Sequence, residues 1–214
     1  MKVFAHYIES EIDGECYRWR TLLQFGGSWD IIGSVYMQNP GSAAPIDKPK
    51  QEDLEHLKSF DKADEEQQSW RCFSADPTMW CIRDLFCEAY RKDQLSGVIQ
   101  IFNLMNMRTP NASKALEFVK SSQEKDSHIR TTDGDIKQLV APIYLGWGTW
   151  GASNIFKNDA ERILQRTCEL TGTSCYHQNY NDNKYYHPRW LMRFGKNMDA
   201  SKNLRAKIKG QIML

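Results

Sequence analysis

Three short apolar stretches, "WDIIGSVYM" (29–37), "GVIQIFNLM" (97–105) and "LVAPIYLGWG" (139–148), constrain this chain more than any other feature. Each is rich in Ile, Val and aromatic residues, and each is bounded by turn or polar residues. That is the pattern of strands buried on both faces. Between them lie stretches of helical period. "MWCIRDLFCEAYRK" (79–92) carries apolar residues at 82, 85, 86, 89 and 90, and 157–170 repeats at 160, 163, 164 and 168. Strands alternating with helices predict an α/β fold, specifically a three-layer α/β/α sandwich around a mostly parallel central sheet. In such sheets ligands sit beyond the carboxyl ends of the strands, where "QNPGS", "NLMNMRTPN" and "GWGTWG" fall.

A chain of 214 residues that is 41% hydrophobic and 26% charged is expected to form a single domain over 1–214. It shows neither an apolar run long enough to span a bilayer nor a secretory leader. A cytoplasmic monomer with no membrane partner is therefore expected. Six cysteines, at 16, 72, 81, 87, 168 and 175, form no C-x-x-C pair, and five histidines are scattered, so free thiols are expected rather than zinc or a disulfide framework. The near-neutral total hides an asymmetry. Residues 51–68 hold seven acids against two lysines, a net of −5, and read as a solvated loop or exposed helix. Residues 184–210 hold eight bases against Asp199, a net of +7, which suits a polyanion such as nucleic acid or, equally, an ordinary solvated face.

Four short motifs occur in order at these strand ends: Asn39-Pro40-Gly41, Asn103, Trp147-Gly148 and His187-Pro188. In that order the chain resembles a divergent member of the uracil-DNA glycosylase superfamily, nearest its mismatch-specific and single-strand-selective branches. Asp76-Pro77-Thr78 and the Asn103-Leu104…Arg108 strand end further resemble a small bacterial and phage family. Two positions depart from the superfamily pattern. Met37 stands where a glycine is usual, and Arg189 follows His-Pro where a serine is usual.

The resemblance implies a monofunctional DNA glycosylase that flips a base out of the duplex and hydrolyses its N-glycosidic bond without metal or cofactor. It implies Asn39 as the residue positioning the attacking water and His187 as donor to the base oxygen, where negative charge develops. Asp76 is a second water-positioning candidate or merely the cap of the helix starting near Thr78. Gln38, Pro40, Gly41, Ser42, Asn103, Arg108, Trp147 and Arg189 are the candidate substrate-binding residues. Trp190, Leu191, Arg193 and Lys196 are the candidate DNA contacts, with Leu191 as the wedge that fills the space left by the flipped nucleotide. The departures at Met37 and Arg189 favour a modified base over uracil, such as the glucosylated hydroxymethylcytosine of some phages, in an anti-phage role; the polar and aromatic stretch "YHQNYNDNKYYH" (176–187) suits a base carrying a sugar or, equally, a solvated loop.

The residues alone leave rivals open. Asn39 also suits a turn that stabilises its own loop, Asn103 a buried strand end, His187 a capped surface histidine beside proline, and Tyr36 and Trp147 a packed core. A non-catalytic nucleic-acid-binding module of the same fold and a nucleoside or nucleotide hydrolase are the competing functions.

Overall fold

The protein is described from a computed structural model, which describes residues 1–11, 14–61, 70–121, 129–172, 185–194 and 198–210. The predicted strands are present as β3 (Ile31–Met37), β6 (Gly97–Asn103) and β7 (Ile143–Leu145). They lie side by side in parallel, β3 in the middle, with Tyr36 opposite Phe102 on one flank and Leu145 on the other. The predicted helices are α2 (Pro77–Tyr90) and α5 (Lys157–Thr171).

The sheet is larger than this parallel unit. An antiparallel hairpin, β1 (Lys2–Glu9) and β2 (Cys16–Phe25), is joined to β6, and two short strands, β4 (Pro45–Asp47) and β5 (Trp70–Phe73), extend the far edge. The order is β4-β5-β1-β2-β6-β3-β7. Four of its strand contacts are antiparallel, and the two parallel ones are confined to β6/β3 and β3/β7. The α/β class therefore holds, but the expectation of a mostly parallel sheet does not. A connection as short as residues 10–15 joins only antiparallel neighbours, because a parallel pair needs a long crossover.

Burial alternates along the strands as their two-residue period requires. Val3, Ala5, Leu23 and Ile99 belong to one apolar cluster with Met79, Ile82, Leu85 and Phe86 of α2. The intervening Phe4, Leu22 and Val98 form a second with Trp70, Leu57 and Phe60. Leu57 ends α1 (Gln51–Leu57), and Phe60 closes the 3-10 turn that follows. The acidic stretch, read as solvated, is thus packed on its inner side. Even Asp53 is buried there, its carboxylate accepting from Lys2 Nζ at 2.8 Å. Residues 62–68, which carry its remaining acids, lie outside the described residues.

At the other end, α6 (Asp199–Gly210) lies against α2, with Ile208 buried and Arg205 paired with Glu88. Among the described residues no helix is long and apolar enough to cross a membrane, and the five described cysteines are free thiols.

Candidate functional site

Beyond Met37 the chain leaves the sheet. Met37 and Gln38 carbonyls still accept from Leu104 and Met105 backbone N–H groups at 2.9 and 3.1 Å, so Asn39 emerges beside the end of β6 and Asn103. Gly41 then turns the loop with φ +71, in the left-handed region that glycine enters without a Cβ clash.

Two arginines hold this loop through its carbonyls. Arg108 donates from Nε to Ala43 O (2.8 Å) and from Nη2 to Ser42 O (2.7 Å). Arg18, on β2, donates from Nη2 to Pro40 O and more weakly from Nη1 to Ala43 O (3.4 Å). Arg108 thus supports the loop instead of lining the site, contrary to its expected substrate contact. Arg18 was not foreseen.

The loop forms one wall of a cleft of about 340 Å³. Gln38, Asn39, Pro40, Gly41, Ser42, Asp76, Asn103, His187 and Arg189 all line it, so nine of the candidate residues converge. Apolar side chains of Met37, Met79, Ile82 and Ile101 also line it, as do Thr21, Thr109 and Arg18.

Each polar group has a defined state. Asn39 commits Nδ2 to the Thr109 carbonyl (2.8 Å), which fixes the amide and leaves its oxygen as the acceptor at the cleft. Asn103 is 3% exposed, and it lines the cleft at the end of β6. An amide on the cleft wall can both donate to and accept from a ligand's edge.

Asp76 caps α2, Oδ1 accepting from Met79 N at 2.9 Å, with Pro77 in the first turn. The cap accounts for Oδ1, and the residue lines the cleft as well.

His187 accepts the Arg189 backbone N–H on Nδ1 at 3.3 Å. In the neutral ring the proton then sits on Nε2, which is left as a donor. Burial and, next, the Arg189 charge push the His187 pKa below its ordinary 6.5, against an opposing effect of Asp76, so the ring is neutral at physiological pH.

The His-Pro segment is seated on β7. Tyr144 Oη donates to Tyr186 O, and Gly148 N donates to Tyr185 O at 2.7 Å. A Cβ at Gly146 would meet Tyr144 Cε1 at 2.9 Å, Met37 Sδ at 3.0 Å and Pro188 Cδ at 3.2 Å, so a larger residue there would have to push these side chains aside.

Two expectations, those for Trp147 and Leu191, fail in this region. Trp147 is fully buried, edge-on to Tyr36 and against Tyr185, and forms core instead of stacking on a ligand. Leu191, the expected wedge, is likewise fully buried: a helical turn over 190–194, anchored by Leu191 N to His187 O (3.1 Å), points it inward. Trp190 stacks on Tyr186 with ring centroids 4.1 Å apart, so its ring already has an intramolecular partner. Arg193 lies in the same turn, and Lys196 lies outside the described residues.

Among the described residues no group of three or more His, Cys, Asp or Glu side chains is arranged to hold a metal ion. No protein-family model, curated protein or solved structure matches the chain.

Proposed function

We propose that the protein is a DNA glycosylase that hydrolyses the N-glycosidic bond of a flipped, modified base and leaves an abasic site. The observation that carries this reading is the pairing, in one cleft, of the Asn103 amide with a neutral His187 whose Nε2 is a donor. These are groups that read a heterocycle's edge and meet charge developing on its oxygen.

In this reading Asn39, its nitrogen already committed to Thr109, accepts a hydrogen bond from water and orients it toward the anomeric carbon. Water oxygen bonds to that carbon as the carbon–nitrogen bond breaks. The bonding pair leaves with the base; one of the water's protons stays on the new sugar hydroxyl, and the other passes to solvent, from which the base anion is reprotonated. An amide is a negligible general base, so the barrier falls chiefly through leaving-group stabilisation and the strained, flipped substrate. The parallel unit β6-β3-β7, with its strand-end motifs, is the part to which the likeness to the uracil-DNA glycosylase superfamily applies. A cleft of about 340 Å³ is at the lower end of the range for sites that enclose a whole small ligand. The volume admits a flipped base, and the departures at Met37 and Arg189, both on the cleft wall, favour a modified one, with glucosylated hydroxymethylcytosine as the first substrate to try.

A second reading, hydrolysis of a free nucleoside or nucleotide, is favoured by one specific observation. With Leu191 in the core and Arg205 paired to Glu88, two groups expected to serve duplex DNA are engaged within the protein.

The test is incubation with oligonucleotides and phage genomic DNAs bearing different modified bases, and with the matching free nucleosides, followed by alkali cleavage and mass spectrometry of released bases. Release from DNA, with binding that weakens linearly in log salt, supports the glycosylase. Release from nucleosides alone supports the second reading. Binding without any release marks a non-catalytic module.

A further inference from the structure

Arg18 is a charged side chain placed inside a strand, 3% exposed, and it lines the same cleft as Asn39, Asn103 and His187. Its hydrogen bonds go to the neutral carbonyls of Pro40 and Ala43, and its Nε has no partner. A guanidinium stacked 5.2 Å above the Phe73 ring adds only a soft contact. Asp76 lines the cleft too and favours the charged guanidinium from a distance, but the two form no ion pair. The pKa is accordingly pushed down to about 10 by burial, which still leaves the group charged at neutral pH. Buried charges are ordinarily paired, because leaving water without a counter-charge is expensive. Propping a loop needs no charge at all: a neutral amide donor would do that.

We propose that Arg18 is the anion-stabilising residue of the cleft, supplying the positive charge that meets an anionic oxygen on the bound heterocycle. The inference rests on the glycosidic reading, in which the departing base takes the bonding pair and becomes such an anion. His187 then donates a hydrogen bond to the base, and Arg18 supplies charge, two roles that a single neutral imidazole cannot combine.

Binding of two ring-shaped probes to the intact protein tests this without any turnover. Barbiturate is a pyrimidine that is anionic at neutral pH, and uracil is its neutral counterpart. By calorimetry or NMR titration, barbiturate should bind about 10- to 100-fold more tightly, the range of a hydrogen bond to a charged group. Arg18→Met should erase that preference and Arg18→Lys should keep most of it. Arg108→Met, which loosens the same loop from outside the cleft, should weaken both probes together and leave their ratio intact.

Equal affinities in the parent protein overturn the proposal, and so does a preference that survives in Arg18→Met. If Arg18→Met does not fold, the parent comparison and Arg18→Lys still decide. Inorganic phosphate that competes as well as barbiturate would assign the charge to a phosphate group and overturn the leaving-base role. Preference without base release would sink the glycosidic reading and keep Arg18 as an anion site, whereas base release without preference would do the reverse.

Discussion

Leu191→Ala separates the two roles assigned to this side chain, core or wedge. The residue is fully buried and belongs to the main apolar cluster. Truncation removes the outer carbons of its isobutyl group, worth about 2.4 kcal/mol at roughly 0.8 kcal/mol per buried CH₂. The cavity left behind adds to this and brings the expected loss to about 3–4 kcal/mol. For a chain of this length the melting temperature should fall by about 6–16 °C, at roughly 2–4 °C per kcal/mol. The assay is urea denaturation followed by fluorescence and circular dichroism, where the midpoint should drop with the slope unchanged. A surface wedge truncated to alanine would cost less than about 0.5 kcal/mol. A variant with a parental midpoint, and excision slowed on duplex but not on single-stranded DNA, would refute the core assignment.

Other outcomes follow from the same geometry. Asp76→Ala should lose about 1 kcal/mol with the helix cap, or roughly 2–4 °C in melting temperature, whereas Asp76→Asn should hold within about 0.5 kcal/mol because asparagine caps as well. Measured by NMR titration, the His187 pKa should fall further in Asp76→Asn, which removes the charge that raises it, and rise in Arg189→Gln, which removes one that lowers it. Because that pKa is depressed in the folded protein, the unfolded chain takes up the proton first as pH falls. His187 therefore contributes stability that is complete above 6.5 and is lost as pH drops through the lowered value, and His187→Gln should flatten this acid limb in chemical denaturation.

The parts of the fold that the sequence displayed are those whose signal is local. β3, β6 and β7 are continuous apolar runs, and α2 and α5 carry a helical period, so each announces itself within its own window. The β1-β2 hairpin does not, because "CYRWRTLLQF" buries Arg18, Arg20, Thr21 and Gln24 inside a strand. The two arginines are accommodated through distant carbonyls, Pro40 O for Arg18 and Phe60 O for Arg20, which no local pattern reveals. The site divides in the same way. Asn39, Asn103 and His187 were visible as polar residues at strand or loop ends. Arg18 was invisible until a loop 22 residues away closed over it. Leu191 and Trp147 failed for the opposite reason: their motifs placed them near the site, but side-chain direction is settled by the turn over 190–194 and by packing against Tyr185.

The central claim is that Asn39 orients the water that cleaves an N-glycosidic bond in this cleft. The most direct measurement is single-turnover base release, read by mass spectrometry on one modified oligonucleotide, for the parent and Asn39→Ala. Removal of one preorganised group from a transition state typically slows reaction about 10²- to 10³-fold. The account predicts a loss of at least about 100-fold, with DNA binding and melting temperature retained. Release of base by Asn39→Ala at the parental rate would contradict it.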